Sequence, residues 1–183
     1  MNGDTRAPLW LWLALGGAAA LWFYSRTDAG AQVVSDATDS VVNAVTDLVS
    51  GPRGIRDNNP GNIRRSGIAW QGSLTQQQLA DAGLKYDATF EQFDTPANGI
   101  RAIGHVLRSY SARGLATVSD LITTWSATDQ AAYVQNVADA LGVDPGASID
   151  VTGNLPALAT AIITQENGEQ PYDPNDIAQW VYA

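Results

Sequence analysis

Only three glutamates occur in this chain of 183 residues: Glu91, Glu166 and Glu169. Two of them fall in one run, QENGEQ, residues 165–170. Glu166 follows Ile162 and Ile163 by four and three positions, so it continues the inward face of a helix. Asn167-Gly168 behind it reads as a left-handed helix cap. A carboxylate in the last turn opposes the helix dipole by roughly 0.3–1 kcal/mol. That field and the apolar neighbours both disfavour the ionised form and raise the pKa. A glutamic acid kept protonated near neutral pH can protonate a leaving glycosidic oxygen. A surface glutamate on a frayed helix end would occupy the same position, so position alone does not decide. Glu91, between Phe90 and Phe93 on a short strand, is expected to face solvent.

A second concentration of chemistry is RGIRDNNPGNIRR, residues 53–65. The chain has a formal net charge of −9, yet four of its nine arginines stand in these thirteen residues. Asn58 and Asn59 can both donate to and accept from an amide. Arg53, Arg56, Arg64 and Arg65 can pair with carboxylates, whether a ligand's or the domain's own aspartates. Pro60-Gly61 supplies the turn that would present these groups at a cleft edge.

The elements that must position these residues are mostly helical. Thr95-Pro96 opens a helix whose Ile100, Ile103, Leu107 and Tyr110 share one face and which Gly114 ends. Thr117 and Asp120 resemble a capping box for a short helix through Trp125. Further helices are predicted over Asp129–Leu141, stopped by Gly142, and Leu155–Glu166. A last one, capped by Asp173-Pro174, carries Trp180. Asn62–Trp70 and Ala88–Phe93 read as two short strands. The expected class is α+β, mainly helical, with a small β-hairpin against a helical bundle. His105 falls within the first of these helices and takes a structural or surface role.

Composition narrows the function classes. Without cysteine and with a single histidine there is no thiolate metal site, and a His-based metal cluster or Ser-His triad is hard to build. No metal or cofactor is expected. The acidic balance argues against nucleic acid as a partner, since phosphate binding wants a basic face.

Residues 1–31 read as a membrane anchor. The run APLWLWLALGGAAALWFY, residues 7–24, is uncharged and as a helix spans about 27 Å, close to the hydrocarbon thickness of a bilayer. Trp10 and Trp12 at one end, and Trp22, Phe23 and Tyr24 at the other, match interfacial aromatic belts. A signal peptide cleaved near Ala29-Gly30-Ala31 is the rival, but its apolar core would normally be shorter. Residues 32–50 follow as a stalk: Val34, Val41 and Leu48 recur every seven residues, with Ala37 and Ala44 between them. Gly51-Pro52 breaks that pattern and opens a soluble domain over residues 51–183.

Three resemblances attach to these residues. ALATAIITQENG, residues 157–168, resembles the catalytic helix of lytic transglycosylases and goose-type lysozymes, whose acid glutamate falls on Glu166. NNPGNIRRSGIAWQG followed by FEQFDTPANGIRAIGHVLRSY is similar to the segment after the catalytic helix in bacterial glucosaminidases. Asn58, Asn59, Gly61, Trp70, Gly72, Phe90, Phe93 and Ile100 hold the matching positions. Residues 51–183 as a whole resemble a domain of bacteriophage virion proteins, opened by RGIR-x-NNPGNIR and closed by ENG-x-x-PY. In the glucosaminidases the acid helix precedes the Asn-Asn segment, whereas here it follows, which implies a circularly permuted lysozyme-like domain. Phage relatives commonly carry a proline and an acidic-Asn pair after the Trp125 position. Here Ser126 to Gln130 replace them, and only Asp129 could supply a second carboxylate.

These resemblances imply a membrane-anchored phage virion protein that cleaves peptidoglycan, acting on the way into or out of the host. Glu166 would be the general acid, Glu169 and Asp57 assistants. Asn58, Asn59, Arg56, Arg64, Trp70 and Tyr172 would hold substrate. The implied partners are peptidoglycan, a membrane and other virion proteins. The alternative is an inactive structural virion membrane protein that uses the same domain to bind glycan or protein. On the permutation argument, Glu166 and the Asn58 or Asn59 side chain should face one cleft within roughly 10 Å, with Tyr172 nearby.

Overall fold

The computed structural model describes residues 51–128 and 130–183. The anchor at 1–31, the stalk at 32–50 and Asp129 lie outside the described residues. Among the described residues, no helix is long and apolar enough to cross a membrane.

Seven helices are found there: α1 Arg53–Arg56, α2 Gln76–Asp81, α3 Pro96–Ala112, α4 Val118–Trp125, α5 Gln130–Leu141, α6 Leu155–Asn167 and α7 Pro174–Trp180. Local chemistry sets their ends. The Thr95, Thr117 and Asp173 side chains accept from the backbone N–H of Asn98, Asp120 and Asn175, which satisfies donors left open by the first turn. Gly168, at φ 72°, terminates α6 in the left-handed region that favours glycine. Two helices have no counterpart in the sequence reading. α2 is announced by Thr75 and Gln78, whose side chains cap each other's backbone reciprocally. α1 is a single turn inside the arginine-rich loop.

α6 is the hub. Its Leu155, Leu158, Ala159, Ile162 and Ile163 are fully buried, and α1, α3, α5 and α7 all pack against it. Each such leucine or isoleucine contributes about 1.5–3 kcal/mol by leaving water. α4 packs on α5, and α3 on α7. Close backbone approach fixes α3 at two points. A Cβ on Gly99 would collide with the Asn58 carbonyl oxygen, and one on Gly104 with that of Val181.

The expected hairpin is not a hairpin of strands. Residues 63–65 and 89–91 touch through an isolated bridge between Arg64 and Phe90, and a second bridge joins Ser73 to Phe93. Glu91 N donates to Ile63 O, then Leu74 N to Gln92 O, so residues 90–93 exchange bonds with two partners in turn. Side chains take the remaining positions. Asn59 Nδ2 donates to the Glu91 carbonyl, and Gln92 Oε1 accepts from Asp87 N. A continuous ladder needs those backbone groups free, and they are not. The class is therefore mainly helical with little strand.

A second correction concerns Glu91. It is 3% exposed, not on the surface. Its Oε2 accepts from Arg65 Nη1 at 3.0 Å and Ser73 Oγ at 2.8 Å. One of the loop arginines is thus bound internally, by a carboxylate of the domain itself.

Candidate functional site

The loop 57–63 is built from its asparagines. Asn59 is buried; its Nδ2 donates to Ile63 O at 2.9 Å and Glu91 O at 2.8 Å, and its Oδ1 accepts from Ile63 N at 2.9 Å. Asn58 adopts φ 52° and donates through Nδ2 to Phe93 O at 3.1 Å. Left-handed backbone is strained for most side chains but tolerable for asparagine. Both residues, expected to hold acetamido groups, are instead occupied in shaping the turn.

The third asparagine of the loop is the one that points outward. Asn62 also has a positive φ, 48°. Its Nδ2 donates to Glu166 Oε2 at 2.8 Å, and its Oδ1 accepts from Arg53 Nη2 at 3.1 Å. This assigns the amide without ambiguity, because a carboxylate only accepts and a guanidinium only donates. Glu166 Oε1 accepts from the Tyr133 hydroxyl at 3.0 Å. Tyr133, on α5, is 4% exposed. Burial, then the adjacent Glu166 charge, pushes its pKa far above the usual phenol value, so it stays a donor. Arg53 lies over the Phe90 ring at 3.5 Å, and Arg64 reaches the same ring at 5.4 Å. Asn167 completes the join: its Nδ2 donates to Pro60 O at 2.7 Å and Ile163 O at 2.9 Å, clamping the loop onto α6.

A chain of polar contacts thus runs Arg53–Asn62–Glu166–Tyr133, joining α1, the Asn-Pro-Gly-Asn turn, α6 and α5. The half-buried Glu166 is held by two neutral donors with no second carboxylate bonded to it. Such a group is fixed in direction and available for proton transfer at its remaining lone pairs.

The other expected residues have contacts of their own. Asp57 is tied to Arg56, Nε to Oδ1 at 3.3 Å, and burial raises its pKa against the pull of that arginine. Glu169 is exposed. Its Oε1 lies 3.5 Å from where a Cβ on Gly51 would stand. Tyr172 packs edge-on against Trp180 with ring centroids 6.5 Å apart. Burial and the nearby Glu169 push Tyr172 up to about 12. Trp70 meets His105 edge-on at 6.4 Å. A groove of about 480 Å³ opens between α5, α6 and α7, lined by Asn136, Ala157, Thr160, Thr164 and Gln165 among others, and Glu166 is not part of its wall.

Sequence reasoning singled out Glu166 and the arginine-rich loop, and the structure brings the two into contact. It did not single out Tyr133, and it passed over Asn62 for its neighbours. A buried tyrosine hydroxyl needs a partner, and that requirement was the available signal.

No protein-family model matches the chain. A curated relative is Protein P5 of Pseudoalteromonas phage PM2, which is 33% identical over 139 residues, covering 72% of this chain and 81% of that protein.

Proposed function

The chain belongs to the family of Protein P5 of Pseudoalteromonas phage PM2, and from that premise we propose that it is a virion protein that cleaves peptidoglycan glycan strands. Glu166 is the general acid. The observation that carries this reading is the direct bond between Asn62 of the arginine-rich loop and the Glu166 carboxylate, across 104 residues of sequence. A permuted lysozyme-like domain requires the loop and the acid to meet, and Tyr133 holds the carboxylate from the other side. In the reaction Glu166 gives its proton to the departing glycosidic oxygen. A hydroxyl of the same sugar attacks the anomeric carbon and returns its proton to Glu166, which is lytic transglycosylase chemistry and needs no second carboxylate. Arg56 and Arg64 border the substrate, and the apolar run at residues 7–24 anchors the protein in a virion or host-envelope membrane.

A second reading has its own support. Both Glu166 oxygens are already engaged by protein donors, as in a site that has become structural. On it the domain binds glycan or fellow virion proteins without cleaving.

Full-length protein in detergent, incubated with purified peptidoglycan, separates the two. The enzyme reading expects soluble glycan fragments from wild type and none from Glu166→Gln. Sedimentation with intact peptidoglycan and no fragments from either protein supports the binding role and removes the enzyme.

A further inference from the structure

Bases are unevenly spread along the domain. From Gly114 to Ala183 there are nine acidic residues and no lysine, arginine or histidine. Three basic side chains stand together on α3: Arg101, His105 and Arg108. At positions i, i+4 and i+7 they occupy an arc of about 60°. Ile103, which faces Gly61 of the loop, lies roughly opposite His105 around the helix axis. The cluster is therefore on the other side of α3 from the turn that carries Asn62.

Arg101 Nη1 approaches His105 Nε2 at 3.3 Å. A guanidinium has only donors, so this ring nitrogen accepts and the imidazole is neutral, with its proton on Nδ1. Trp70 stands edge-on to the same ring. Arg108 spends one Nη on the Val181 carbonyl at 2.9 Å. Among the described residues no carboxylate lies within ion-pair distance of any of the three. Trp70 Nε1 and Arg101 Nε are buried without a hydrogen-bond partner. An unpaired buried donor costs about 1–3 kcal/mol. Only Nη1 of Arg101 and Nη1 of Arg108 have a hydrogen bond among the described residues, and an external acceptor would engage the Nη2 groups.

We propose that Trp70, Arg101, His105 and Arg108 form a binding site for a carboxylate-bearing ligand, separate from Glu166. The planar fork of Arg101 suits two coplanar oxygens. His105 Nδ1–H and the second Nη of Arg108 add donors, and the Trp70 ring covers the carbon body attached to the carboxylate. Residues 51–183 carry eight basic and fourteen acidic side chains. That field disfavours a dianion more than a monoanion, which selects carboxylate over phosphate.

His105 is the only histidine of the chain, so its ring signals in the NMR spectrum of the full-length protein report this site alone. Acetate is the probe, with chloride at matched ionic strength as reference and inorganic phosphate as competitor class. The expected result is a saturable shift of the His105 ring protons with acetate. Arg101→Gln weakens it about tenfold or more, and Arg101→Lys, which keeps the charge and loses the fork, weakens it several-fold. Arg113→Gln leaves it unchanged, since Arg113 lies over the Tyr110 ring at the end of the helix. A His105 signal that acetate moves no more than chloride, that moves equally in both Arg101 variants and wild type, or that responds to phosphate more readily than to acetate overturns the proposal. No glycan cleavage enters this test, so its failure and that of the Glu166 reading are distinguishable.

Discussion

Replacing Glu91 by glutamine probes the join between the arginine-rich loop and residues 89–94. The Glu91 side chain is 4% exposed and that of Arg65 19%. One carboxylate oxygen accepts from both Arg65 and Ser73. Glutamine can still accept from Ser73, but Arg65 loses its counter-charge. Removing one partner of a buried pair costs about 3–5 kcal/mol. Arg65 is partly wet, and it keeps its bond to the Asp87 carbonyl and its place over the Tyr86 ring, so about 2–3 kcal/mol is expected. For a domain of this size that lowers the melting temperature by roughly 8–12 °C. Thermal and urea unfolding of the full-length protein, followed by circular dichroism, would measure it. Arg65→Met should cost a similar amount, and the double variant should fall short of the sum by about 2 kcal/mol. A Glu91→Gln change under about 0.5 kcal/mol, or strict additivity in the double variant, would refute the reasoning.

Four other outcomes are expected. Glu166→Gln should abolish glycan cleavage and also lower stability by about 1 kcal/mol, because the amide has one acceptor for two donors: with its oxygen on Asn62 Nδ2, the buried Tyr133 hydroxyl loses the acceptor for its proton; unfolding and fragment release measured on one preparation check both. Gly99→Ala should cost about 2–3 kcal/mol, since its Cβ meets the Asn58 carbonyl, which is backbone and not a flexible side chain. Burial, Arg108 and Arg101 hold the His105 imidazole below its usual pKa; the unfolded chain therefore binds its proton more readily, and stability falls as pH drops through about 6.5, a slope that His105→Gln should remove in melts across that window. Deleting residues 1–31 should turn a detergent-requiring protein into one that stays in solution without detergent, as sedimentation would reveal.

Helices α3 to α7 were legible because their ends are written in capping chemistry: Thr95-Pro96, Thr117, Asp173-Pro174, Gly142 and Gly168. The boundary of α6 was placed one residue short, at Glu166 instead of Asn167. α1 was not legible, since a single turn of Arg-Gly-Ile-Arg has no periodicity to read. The strands failed for a different reason. Their apolar content fits strands, but the backbone partners of a ladder are taken by the Asn59 and Gln92 side chains, a tertiary effect that no local pattern carries. The same holds for Glu91, whose burial depends on an arginine 26 residues away. At the site, the glutamate stood out by rarity and by the cap behind it. The choice among Asn58, Asn59 and Asn62 did not, because it turns on which of them faces inward.

The bonds around Glu166 also define how the domain would carry a mechanical load. A pull applied at residue 51 enters first through α1 and the turn behind it. The turn is fastened to α6 by Asn62 on Glu166 and by Asn167 on Pro60, and to α3 by the contact of Asn58 with Gly99. None of these is part of the apolar core around Ile162, and hydrogen bonds at a domain's edge yield at lower force than packed helices. Tension applied at residue 51 would therefore reach the Glu166 carboxylate before it disturbed the fold, coupling the state of the site to whether that end of the domain is slack or taut.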